Sequence, residues 1–91
     1  MDIRKFLKKI NENDTILLRT KKKKILPSGG HILSTEECIV EASIISLTFD
    51  RKPDTGFTCF GKATADIPVI DSDRKSFSLL IFTEQDIVEQ N

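Results

Sequence analysis

The chain has 91 residues, 14 basic and 14 acidic side chains, and 38% hydrophobic residues. That length leaves room for one small domain, read as residues 1–91, and not for two cores. Leu, Ile, Val and Phe supply 29 of the 91 residues, above the roughly 20% below which chains tend to stay disordered. No apolar run approaches the roughly 18 residues of a membrane span. Arg4, Lys5, Lys8 and Lys9 interrupt any apolar stretch of the kind a signal peptide needs. The expectation is a soluble, cytoplasmic protein with no membrane partner.

The formal net charge of zero conceals a division. Residues 1–24 hold nine basic groups against Asp2, Glu12 and Asp14, a net +6, whereas residues 25–91 hold five against eleven, a net −6. Such asymmetry points to a basic surface for an acidic partner or for phosphates, or to two regions that neutralise each other across the fold.

In chain order, Ile3, Phe6, Leu7 and Ile10 follow the i, i+3, i+4, i+7 spacing of one helical stripe. With Asp2 as cap and Lys8 and Lys9 near the far end, this predicts a short amphipathic helix over 2–12. About eleven residues are marginal alone, so the helix must pack on something. From Asp14 onward the period is two. A first strand starts at 15 and runs through Ile16, Leu17 and Leu18 into Lys21–Lys24, and Pro27-Ser28-Gly29-Gly30 closes it with a loop.

Residues 37–50 alternate as a strand, but their parity flips at Ile44–Ile45. Because side chains alternate faces strictly, the flip predicts a bulge or a strand passing between two packing environments. Ser34-Thr35-Glu36-Glu37 also fits a capping box, which leaves a helix over 35–42 as the alternative there. Asp50 to Gly56 reads as a turn. The next strand puts Phe57, Cys59, Gly61, Ala63, Ala65, Ile67 and Val69 on one face, the small ones leaving space for a bulkier neighbour such as the helix. Pro68 marks an edge or an end. After a turn at Asp71 to Arg74, the apolar run Phe77 to Phe82 reads as a strand covered on both faces. Thr83 is placed to cap a last helical turn.

The fold expected is α+β: a short N-terminal helix packed on a four-stranded, mainly antiparallel meander sheet, with a small β-barrel as the alternative. This order of elements resembles cystatin-like folds in element order alone, and a resemblance of order carries no function. Ile3-x-x-Phe6-Leu7 is similar to the hydrophobic half of sliding-clamp binding peptides, without their anchoring glutamine. The same side chains are those that would dock the helix.

Little in the sequence points to chemistry. If the 50–56 turn closes a hairpin, Cys59 faces about Leu47 and Cys38 about Pro68, which separates the sulfurs too far for a disulfide. Two separated cysteines and His31 make no recognised metal spacing. Asp71-Ser72-Asp73 lacks the glycine and distal glutamate of a calcium loop. Pro27–His31 lacks the lysine signature of a phosphate-binding loop. No catalytic residue, cofactor or metal is expected, and the chain is read as non-enzymatic.

The candidate site is therefore a binding surface: Arg19, Lys21, Lys22, Lys23 and Lys24 on the first strand, with Lys5, Lys8 and Lys9 on the helix. It would engage an acidic protein, with a sheet edge available for pairing or homo-oligomerisation. The alternative is nucleic acid on Arg19 and Lys21–Lys24, held by strongly salt-dependent phosphate contacts. The chain has no Trp or Tyr for base stacking.

Overall fold

Period-two patterning carries the chain into four strands in the computed structural model, which describes residues 5, 7–52, 56–73 and 75–88. They are β1 (Thr15–Ile25), β2 (His31–Lys52), β3 (Gly56–Pro68) and β4 (Lys75–Thr83), followed by a single 3₁₀ turn, Glu84–Asp86. All neighbouring pairs are antiparallel and the spatial order is β1-β2-β3-β4. The meander is as expected. The segment 34–42 is strand throughout, so the capping-box helix does not form.

The helix over 2–12 is corrected. Residues 1–4 and 6 lie outside the described residues. Helical backbone among the described ones is confined to Lys5 and Leu7, with Lys8 and Lys9 already in a turn. Asn13 takes a left-handed conformation (φ 73°), and the Asn11 amide donates to Asp14 Oδ2 at 2.8 Å. These contacts commit residues 11–14 to a tight turn. The apolar stripe is used all the same, because Leu7 and Ile10 are buried in the core. Among the described residues the fold is a four-stranded antiparallel sheet without the helix of the α+β description.

The small barrel is corrected as well, because β1 and β4 form no ladder and the sheet is open. Its first strand is nonetheless tied across the gap at two points. Leu18 bridges Ile87 and Lys23 bridges Val69, where the Val88 amide donates to the Leu17 carbonyl and the Ile70 amide to the Lys23 carbonyl. The sheet therefore curls, and its inner face holds the core.

β2 is long enough to serve both neighbours. Its residues 31–43 pair with β1 and its residues 42–52 with β3. The register on β3 shifts between Ile44 and Ser46, which is the bulge that the parity flip predicts. Ile45 is the extra residue and is exposed. At the same place the turn before β1 joins β2: the Asn13 amide donates to the Ile44 carbonyl and the Ile44 amide to the Asp14 carbonyl. Of the two readings of the flip the bulge is the one that holds: β2 bulges where its pairing with β1 ends, and it meets one core on both sides of the bulge.

The inner face of β3 is built of small residues so that its neighbours can lean over it. Leu47, Gly61 and Phe82 form one cross-strand row, and Ile44, Ala63 and Leu80 the next. A Cβ on Gly61 would lie 2.6 Å from Phe82 Cε1. The ring thus occupies the space a side chain would take, a glycine rescued by an aromatic neighbour. The bulky partner over Gly61 is Phe82 of β4, and Leu7 and Ile10 belong to the same core.

Two stability outcomes follow. Gly61→Ala should lower unfolding stability by about 1–3 kcal/mol, because the buried Phe82 ring must leave its place to clear the added methyl. Adding Phe82→Leu should recover part of that loss in urea titrations. Ser78, buried opposite Ala65, has a hydroxyl without a hydrogen-bond partner among the described residues. Ser78→Ala should therefore hold or raise the melting temperature, since the cost of an unmet buried hydroxyl, about 1–3 kcal/mol, is removed.

Candidate interaction surface

Strict alternation divides β4 into two faces. Ser78 and Phe82 point into the core, and Leu80 packs against it. Phe77, Leu79 and Ile81 point outward and are 75%, 61% and 77% exposed. The expectation of a strand covered on both faces is thus corrected: β4 is the last strand of the meander, and among the described residues nothing covers its outer side. Three large apolar side chains in a row on an edge strand are uncommon in a monomer, because such strands template association.

β3 supplies the rim of this stripe. Directly opposite Phe77, Leu79 and Ile81 stand Asp66, Thr64 and Lys62, with both charged residues exposed. The outer face also carries exposed Ile39 and Ile45 from β2. It reads as an apolar stripe flanked on one side by a basic, a neutral and an acidic residue in order.

The basic residues are arranged differently from a single patch. Arg19 and Lys21 are exposed on the outer face of β1, opposite Ile39 and Glu37. The register shifts between Lys21 and Lys23. Lys22 turns to the other side, where its Nζ meets Glu36 Oε1 at 2.6 Å. That hydrogen bond, and then the carboxylate's charge, raise the Lys22 pKa above its ordinary value. Lys23 is half-buried. Lys24 is exposed opposite Ile32, and Lys5, Lys8 and Lys9 are exposed before β1. The lysine tract is distributed over two faces and meets acids from β2, so the +6 and −6 halves of the chain interleave. A cleft of about 250 Å³ separates β1 from β4, lined by Leu18, Arg19, Lys21, Leu80 and Phe82 among others.

Cys38 is half-buried and Cys59 buried, and both are free. Cys59 pairs with Phe49, and Cys38 with Thr20 of β1, so the expected separation holds, with the register one or two residues from the anticipated one. The Cys59 amide donates to Glu84 Oε2 at 2.9 Å. Burial, and then the Glu84 charge, push the Cys59 thiol up, while burial is also the leading cause of the rise at Cys38. A raised thiol is a weak nucleophile. His31 opens β2 opposite Ile25, seven residues from Cys38 and so on the order of 20 Å away along the strand. Among the described residues no three His, Cys, Asp or Glu side chains cluster as metal ligands, and no helix is long and apolar enough to cross a membrane.

Of the residues singled out from sequence, the structure brings Arg19 and Lys21 to one face and sends Lys22 to the other. The outer stripe of β4 was missed. Its signal was the final position of the strand in a meander, which makes it an edge. No family model matches the chain, and neither a curated protein nor a solved structure matches it.

The thiols give a direct check of burial. A maleimide at pH 7 should label Cys38 first, and Cys59 at least about tenfold more slowly until denaturant is added. Because the Cys59 value is raised by folding, the unfolded thiol ionises first as pH rises. Stability should hold below the ordinary thiol range, about pH 8.5, and decline above it. A urea titration series across that range reads the decline, which Cys59→Ala should reduce and the double variant Cys38→Ala/Cys59→Ala should remove.

Proposed function

We propose that this chain is a non-enzymatic protein-interaction domain or subunit that engages its partner through the outer face of the sheet at β4. The observation that carries the reading is the exposure of Phe77, Leu79 and Ile81 in one row on an edge strand. A folded domain gains nothing in its own stability from large apolar side chains left in water, and contiguous exposed stripes mark surfaces that associate. The basic residues of β1 are a secondary contact in this reading. Lys21 faces Glu37 and Lys22 is bonded to Glu36, so part of their charge is met within the chain. An acidic partner would be steered chiefly by Arg19, Lys24 and the exposed lysines before β1.

A pull-down from native lysate tests this, with nuclease-treated and untreated arms. The wild-type chain should retain a partner in near-equal amount, or a second copy of itself. Leu79→Lys should lose it, and nuclease should change nothing. Retention that survives Leu79→Lys but disappears with nuclease, or with Lys21–Lys24 replaced by Gln, would move the function to nucleic-acid binding.

A further inference from the structure

We infer that the outer β3–β4 face is an isologous dimer surface whose occupant is a second copy of this chain, stacked face to face with the strands of the two copies antiparallel. The inference rests on the interaction reading above and names the partner.

The argument is one of self-complementarity. Phe77, Leu79 and Ile81 alternate along β4, with Leu79 at the centre of the row. A two-fold axis through that point, lying between the sheets and across the strands, sets Leu79 over its own copy and Phe77 over Ile81 of the second copy. It also sets β3 over β3. Lys62 and Asp66 stand at equal distances on either side of Thr64, so the same axis brings Lys62 over Asp66 of the other copy, and Asp66 over Lys62. Two opposite-charge contacts therefore flank the apolar row. The other two-fold, with its axis along the strands, carries β3 and β4 to opposite sides of that axis, so it cannot stack β3 on β3 and β4 on β4 together and loses either the apolar row or the charge pairs. Only the axis across the strands stacks both rows and pairs both charges, and a two-fold patch must be complementary to itself in this way.

The spacing is compatible. Packed sheets lie about 10 Å apart, and four residues of strand span about 13 Å, so Lys and Asp side chains at 62 and 66 meet across the gap while the row between them interdigitates. With Ile39 and Ile45 of β2 included, the face covers on the order of 500 Å² per copy. That is below the roughly 800 Å² of a standard interface, so the dimer should be concentration-dependent. The net charge of zero leaves no overall repulsion between copies.

Sedimentation equilibrium from low micromolar to submillimolar concentration tests the inference, with circular dichroism as a fold check. Wild type should show a monomer–dimer equilibrium that Leu79→Lys abolishes. Lys62→Glu and Asp66→Lys, each alone, should weaken dimerisation by on the order of tenfold or more. The two single variants mixed in one tube should form a mixed dimer near wild-type strength, because each supplies the charges the other needs. The double variant Lys62→Glu/Asp66→Lys should likewise recover. A wild type that stays monomeric throughout, or single variants that dimerise like wild type, or a mixture no stronger than its components, overturns the inference. If it is overturned while Leu79→Lys still loses a partner in the pull-down, the interaction reading stands with a different occupant. If that loss is absent too, both fall.

Discussion

A single extra residue, Ile45, lets one strand serve two neighbours. Side chains of a strand alternate without exception, so a 22-residue strand with uniform parity would present one fixed set to both partners. The bulge resets the alternation. Val40, Ala42 and Ile44 point inward before it, and Leu47 packs against the same core after it. Without the shift Leu47 would face outward, and the row it makes with Gly61 and Phe82 would be broken. The bulge also marks where the turn before β1 attaches, through the paired amides and carbonyls of Asn13, Asp14 and Ile44. Curl, core and the entry of the first strand are fixed at one position.

The inner face then follows from size complementarity. β3 is central and carries Gly61, Ala63 and Ala65, while its neighbours bring Phe82, Leu80, Ile44 and Leu47. Small residues at the middle of a curled sheet let larger ones converge above them, which closes a core with few residues. Leu7 and Ile10 complete the cover. Burial of a large side chain of this kind contributes about 1.5–3 kcal/mol, and a chain this short depends on each of them. The outer face shows the opposite economy, with apolar groups exposed and no second layer among the described residues.

Much of this was legible in the sequence. The meander, the parity flip at Ile44–Ile45, the inward row from Cys59 to Val69 and the end of β3 at Pro68 all come from alternation and turn chemistry. The 2–12 helix was misread because apolar spacing reports which residues can be buried together, and Leu7 and Ile10 are buried ahead of a tight turn at 11–14. The two-sided burial of β4 was misread because an apolar run reports hydrophobicity, not position in the sheet. An interior strand and an associating edge strand have the same composition. The lysine tract was ambiguous for a third reason: Glu36 and Glu37 meet it only once the β1–β2 register, with its own shift, is known.

The two bridges that tie β1 across the open side have a consequence for assembly of the fold. Every ladder joins strands consecutive in sequence, so hairpin after hairpin can form with short loops to close. Leu18 with Ile87 and Lys23 with Val69 instead join segments that are far apart along the chain. Their closure carries the largest entropy cost, and what offsets it is the burial of Leu18, Ile87 and Val69 beside a few isolated hydrogen bonds. The ladders are accordingly a zipper and these bridges the clasp at its end, held by the core residues beside it as much as by its hydrogen bonds.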